Sequence, residues 1–341
     1  MGRRRGSTTV ADIARLAGVS APTVSRVING QSGVALTTRQ RVEAVIREHG
    51  YQRTAGSSSA AILELVFHAL ESLWALEIIK GVEEVAREHQ LAVVLTEMEG
   101  QLTPGRAWTE QVLARRPMGV VAVFSELTVQ QQSQLATRAI PLVVLDPTGE
   151  PLHQTPSVGA TNWNGGLAAT RHLTDLGHTR IAMISGPTEW PCCRARLDGY
   201  RAAMDAAGAP VHPDLVRIST LYVEGGLRDA RALLSLPDPP TAIFAANDLQ
   251  ALGVYEAARQ AGARIPEDLS VVGFDDLAFT QWAGPPMTTV RQPLTQMGRT
   301  AAKLAVEIAS GKTPENNRVE LATTLVVRQS TAPPGGKVSA R

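Results

Sequence analysis

The sequence predicts an all-α head joined to an α/β body built from two parallel-sheet lobes. Three observations predict it. Apolar residues at helical spacing, interrupted by a Gly-Val-Ser turn, fill the first fifty positions. From Ile62 short apolar strands alternate with amphipathic helices, and after Pro156 that alternation starts afresh. A length of 341 residues leaves room for two or three domains, and 44% apolar with 19% charged residues describes a globular chain rather than a disordered one.

In the head, Val10, Ile13, Ala14 and Ala17 lie on one stripe of a short helix. Gly18 can take the positive φ of a sharp turn, Ser20 is a good N-cap, and Pro22 falls in the first turn of a second helix. Val24, Val27 and Ile28 form the inner face of that helix. A third helix is predicted to start with a capping box, Thr37-x-x-Gln40, and to bury Val42, Val45 and Ile46. Two short helices joined by Ala-Gly-Val-Ser, with a third behind them, describe a helix-turn-helix.

Charge points the same way. The formal net charge is only +1, but residues 1–53 hold nine Arg against Asp12, Glu43 and Glu48, and the remaining residues are net acidic. A basic head on a mildly acidic body predicts an anionic partner at the N-terminal end.

The body reads as strands at Ile62–Phe67, Leu91–Thr96, Val120–Phe124, Leu142–Leu145, Ile181–Ser185, Ala242–Ala246 and Leu269–Gly273, with helices between them, the first from about Trp74 to Gln90. Continuous apolar strands separated by amphipathic helices imply parallel sheets covered on both faces. Ligands of such sheets sit beyond the carboxyl ends of strands. Asp146, Asn247 and Asp275 each close a predicted strand, so they are expected around a common cleft. Asn247 and Asp248 are also favoured N-caps for the following helix, and Arg196 can pair with Asp275 or offer its fork of donors to a ligand.

The run T-V-A-D-I-A-R-L-A-G-V-S-A-P-T-V-S-R-V-I-N-G resembles the N-terminal signature of the lactose/galactose-repressor (LacI/GalR) family. The resemblance continues through H-L-x-x-L-G-H (172–178), I-x-x-I-S-G-P (181–187), R-x-x-G-Y (196–200), A-N-D-L-Q-A-L-G (246–253) and I-P-E-D-L-S-V-V-G-F-D-D (265–276). It implies a periplasmic-binding-protein-like core of two Rossmann-like lobes behind a DNA-binding head. By that resemblance residues 1–53 are the head, 54–61 a linker, 62–333 the effector-binding and dimerisation domain, and 334–341 a disordered tail. The lobes would be discontinuous, 61–160 plus about 291–318 and 161–290 plus about 319–333. The implied partners are a near-palindromic double-stranded DNA operator, a second copy of the chain and a small-molecule effector.

Carried over residue by residue, Ala21, Pro22 and Arg26 take the base-reading positions. Thr9, Ser20, Thr23, Ser25, Asn29 and Thr37 are suited to phosphates, which fix register without reading sequence. Arg196, Asn247 and Asp275 match effector-contacting positions, Asp146 more weakly. Trp74, Trp163 and Trp190 are placed on the cleft rim because a flat indole beside hydroxyl-binding groups suits a sugar ring, a carbohydrate being favoured over a purine. Trp282 is assigned to a subunit interface.

The linker departs from the family. Relatives usually carry Tyr-x-Pro-Asn-x-x-Ala-Arg-x-Leu, a hinge helix that forms on the operator and inserts its leucine into the minor groove. Here the run is Tyr51-Gln-Arg-Thr-Ala-Gly-Ser-Ser-Ser-Ala-Ala61. Gly and Ser are poor helix formers, so no ordered hinge helix and no leucine wedge are expected.

Other function classes find little support. There is no G-x-S-x-G elbow, Walker loop or H-E-x-x-H motif, and adjacent Cys192 and Cys193 form no disulfide framework or multi-cysteine metal site. No catalytic residue, metal or cofactor is expected. The missing secretion signal and the basic head argue against a solute-binding protein, so the chain is expected in the cytoplasm with no membrane association. Because a guanidinium can donate two bonds to guanine, Arg26→Ala should weaken cognate operator binding by ~1–3 kcal/mol and relax discrimination at one base pair. Electrophoretic titration on operators varied one base at a time would show it; an unchanged preference removes Arg26 as a reader.

Overall fold

In the computed structural model, residues 9–28, 33–49, 60–70, 73–98, 101–147 and 155–335 are described. Asn29 and the linker segment 50–59 fall outside them, and the expectation of no hinge helix lies there.

The head is three helices, α1 (Val10–Ala17), α2 (Ala21–Ile28) and α3 (Leu36–Glu48), around a core that includes Ile13, Ala14, Ala17, Val24, Val27, Ile28, Val42 and Ile46. Thr9 starts α1 with a full capping box to Asp12, and Gly18 ends it at φ 63°. Ser20 accepts from the Thr23 N–H at 3.3 Å, the expected cap of α2. The expected box at Thr37 is not formed. Helix α3 begins at Leu36, two residues before the start that a Thr37 cap implies, and Arg39 N–H bonds Ala35 O, so Thr37 stands exposed inside the first turn.

Among the described residues the body holds two six-stranded sheets. The first contains β1 (Ala60–Phe67), β2 (Ala92–Glu97), β3 (Pro117–Val123), β4 (Leu142–Leu145), β5 (Ser157–Ala160) and β11 (Arg318–Leu321), in the order β11-β5-β4-β3-β1-β2. The second contains β6 (Ile181–Ser185), β7 (Val216–Ile218), β8 (Ala242–Ala245), β9 (Ser270–Asp275), β10 (Thr288–Arg291) and β12 (Thr324–Val326), in the order β12-β10-β9-β8-β6-β7. The strand pairs are parallel except β10 with β12.

Helices cover both faces of each sheet, as parallel pairing with buried apolar strands demands. In the first lobe α4 (Leu73–Glu88) and α11 (Leu294–Ala309) cover one face, and α5 (Arg106–Arg115) and α6 (Val129–Thr137) the other. In the second, α7 (Asn162–Asp175) and α8 (Pro191–Ala206) face α9 (Val223–Leu234) and α10 (Asp248–Ala261) across the sheet.

Several expectations are corrected. Strand β1 begins at Ala60 rather than Ile62. Strand β11 at Arg318–Leu321 pairs with β5, so the first lobe extends past 318 and the chain returns to the second lobe between Leu321 and Thr324. Short strands β5, β7, β10, β11 and β12 had no strong apolar run to announce them. The first residues of the expected tail, Pro334 and Gly335, lie against Gly177 and Glu267. Just before them, Ala332 is held by His178, whose ring also meets Thr241 and Ser270.

The chain passes between lobes at Thr161–Asn162, Gln292–Pro293 and Ala322–Thr323. Thr323 N–H donates to Thr161 Oγ1 at 2.9 Å, clasping two of these crossings together. Helices α7 and α8 approach closely through glycine: a Cβ on Gly199 would sit 2.2 Å from Trp163 O, and one on Gly166 2.3 Å from Arg196 O. Gly199→Ala should therefore destabilise the chain by about 1–3 kcal/mol. Gly159→Ala, with open space beside it, should change stability little. Urea unfolding midpoints of the two variants test this.

Candidate functional site

The exposed side of α2 carries Ala21, Pro22, Ser25 and Arg26, while Val24, Val27 and Ile28 point into the head. An eight-residue helix exposing small residues, one hydroxyl and one arginine has the size and donors that a major groove admits. Thr9 and Ser20 also cap helices, and Thr23 is half-buried with its hydroxyl 2.8 Å from that of Ser20.

Between the lobes lies a cavity of about 190 Å³. Six of the seven predicted effector residues line it: Trp74, Asp146, Trp190, Arg196, Asn247 and Asp275. The seventh, Trp163, does not. It sits on α7 and is 42% exposed, because the helical period turns it away from the cleft that neighbouring Asn162 approaches.

Arg196 stands at the inner end, 3% exposed. Its Nε donates to Asn162 Oδ1 at 2.8 Å and NH1 to Ala246 O at 2.6 Å, with the guanidinium carbon 3.8 Å from the centre of the Phe274 ring. These contacts hold the fork in place without engaging Asp275 in an ion pair. Asp275 Oδ1 instead accepts from Gln292 Nε2 at 2.6 Å. Burial raises the Asp275 carboxyl, Arg196 and Gln292 oppose that, and the group stands at about 6. Burial likewise raises Asp146, against the pull of Arg196.

Asn247 is both N-cap and cavity wall: Oδ1 accepts from Gln250 N–H at 2.9 Å and Nδ2 donates to Leu221 O. Asp248 points away into the lobe and accepts from Leu277 N–H and Thr289 Oγ1, so its role is internal. The strand-end residues Phe124, Asp146 and Asp275 all have positive φ, at 49°, 49° and 112°. Such backbone is costly for non-glycine residues and clusters at ligand sites.

Aromatic rings form the other wall. Phe124, from the first lobe, meets Trp190, from the second, edge to face at 4.7 Å, and Trp74 and His68 lie around 6 Å from Phe124. The sequence reading missed Phe67, His68, Phe124, Thr220 and Tyr222 on this wall. The strand ends that place Asp146 in the cleft place Phe67, His68 and Phe124 there equally well, since position in the fold is indifferent to polarity. His68 Nδ1 is buried with no hydrogen-bond partner among the described residues. Cys192 lines the cavity, its sulfur 3.9 Å from that of Cys193, and its thiol is pushed up by that contact and by burial.

A helix-turn-helix head on a two-lobed body with a polar and aromatic cleft defines a ligand-responsive DNA-binding regulator. Residues 9–54 match the model of bacterial regulatory proteins of the lacI family, and residues 170–331 match a periplasmic binding protein-like domain. The chain is 32% identical over 329 residues to the HTH-type transcriptional repressor PurR of Photobacterium profundum, covering 94% of this chain and 98% of that protein. It is 31% identical over 335 residues to the repressor CytR of Escherichia coli, covering 96% and 98%. Among solved structures, a transcriptional regulator CelR–cellobiose complex is 35% identical, with a TM-score of 0.71 over 94% of this chain and 99% of that one. The lac repressor dimer bound to operator and an anti-inducer is 28% identical, with a TM-score of 0.69 over 96% and 99%. The chain belongs to the LacI family and is a DNA-binding transcriptional regulator. No helix among the described residues is long and apolar enough to cross a membrane.

The Asp275 carboxyl gives a pH signature. Its pKa is raised on folding, so its contribution to stability is present below the ordinary value of 3.8 and is lost as pH rises through about 6. Asp275→Asn keeps an acceptor for Gln292 and removes that loss. The variant should be more stable than wild type at pH 7, by up to about 3 kcal/mol, with the difference vanishing towards pH 4. Urea midpoints across pH 4 to 7 check the sign.

Proposed function

We propose that the chain is an effector-controlled repressor whose cleft takes a carbohydrate, and that it acts as a dimer. The observation that carries the effector class is the pairing of two walls. Asp146, Arg196, Asn247 and Asp275 offer acceptors and donors for vicinal hydroxyls, and Trp74, Phe124 and Trp190 offer apolar faces for the C–H side of a sugar ring. The cellobiose held by the CelR neighbour supports that class, and the names of the relatives support repression.

The mechanism is linkage. An effector that binds one lobe arrangement better than the other shifts the population towards it, and operator affinity changes by the same coupling. A dimer presents two heads to two half-sites of a near-palindromic operator. Trp282, 83% exposed on the second lobe, supports a subunit contact there.

A thermal-shift and calorimetric screen of mono- and oligosaccharides, purines and amino acids tests the effector class. A cognate sugar at about a hundredfold over its Kd should add roughly 2.7 kcal/mol of stability. It should also change affinity for a near-palindromic operator fragment. Purine-only hits would overturn the sugar assignment.

A further inference from the structure

A contact outside the cleft joins the head to the body. Ile28 ends α2, so its carbonyl lacks a partner within that helix. It accepts from Nε of Arg138, the C-cap residue of α6, at 2.6 Å. NH1 of the same guanidinium donates at 3.2 Å to the carbonyl of Leu113, in the last turn of α5. One cation thus sits at the C-terminal ends of two helices, one in the head and one in the first lobe, where both helix dipoles favour positive charge. The flat fork of arginine can serve two carbonyls at once, which the point charge of lysine does less well.

The contact leaves the reading face of α2 open. Ala21 and Pro22 lie at the opposite end of the helix from Ile28, and Arg26 is exposed. Helix α6 starts at Val129, five residues after Phe124, the ring that meets Trp190 across the cleft, and is capped at its far end by Arg138. Its nine residues form a strut about 13 Å long. Gln131 ties that strut to the lobe through Pro104 O at 2.7 Å and the Thr109 hydroxyl at 3.0 Å.

We propose that Arg138 is a positioning residue that holds the base-reading helix on the first lobe, so that α6 links the cleft wall to the head in a chain whose linker lacks the hinge-helix sequence. The consequence for regulation rests on the proposed function above; the contact itself is testable without DNA or effector.

The test uses the full chain carrying Leu16→Cys, an exposed position on α1, labelled with a fluorescent maleimide; the natural Cys192 and Cys193 are buried. With Arg138 in place, the label's anisotropy should decay with the tumbling of the whole particle. Arg138→Ala should introduce severalfold faster decay at an unchanged melting temperature, and Arg138→Lys should restore part of the slow component. Fast decay already present with Arg138, and unaltered by its loss, overturns the proposal. In a second arm, Arg138→Ala should weaken operator affinity severalfold with the same base preference. Unchanged affinity overturns the positioning role. A slow head that responds to no screened effector would instead count against the effector reading alone.

Discussion

The body is organised around one buried cation. Removing the Arg196 guanidinium from water is costly unless its donors and charge are matched. The match comes from scattered places: the Asn162 amide at a lobe crossing, the Ala246 carbonyl at the end of β8, the face of Phe274 on β9, and the fields of Asp275 and Asp146. Burial works against the charge, yet the neighbouring thiols and carboxylates outweigh it and the group stays firmly protonated. Close packing of α8 on α7 through Gly166 and Gly199 sets the depth at which that side chain enters the cleft.

The two carboxylates complete the balance. With both ionised, the cleft would hold two negative charges against one positive in a low-dielectric setting. Burial raises both carboxyls against the pull of Arg196, with Asp146 adding a smaller push on Asp275, and a ligand bringing hydroxyl donors would favour their ionised forms. The aromatic wall contributes little charge of its own and closes the cleft from both lobes, since Phe124 follows β3 of the first and Trp190 caps α8 of the second.

Much of this was legible in the sequence, for identifiable reasons. Parallel strands end where ligands bind, so Asp146, Asn247 and Asp275 could be placed from apolar runs alone, and the head followed from helical spacing and a single turn. Trp163 was misplaced because proximity to a crossing says nothing about which way a helix turns a side chain. The Thr37 box failed because Ala35 already serves the start of α3, and β11 was assigned to the wrong lobe because a four-residue strand that half-buries only Val319 and Leu321 has no continuous apolar run. The Arg138 bridge could not have been read at all: it joins residues 110 positions apart through backbone carbonyls, which leave no mark on composition.

The Thr161–Thr323 clasp lies beside two residues that also serve the cleft, since Asn162 holds Arg196 and Gln292 holds Asp275. The pivot between the lobes and the polar floor of the binding site are therefore one assembly. A ligand seated there need not pull the lobes together from their rims. By redistributing hydrogen bonds at the fulcrum it can alter the angle at which the chain bends, and the lobes, as lever arms, convert that small rotation into a larger displacement at their far edges.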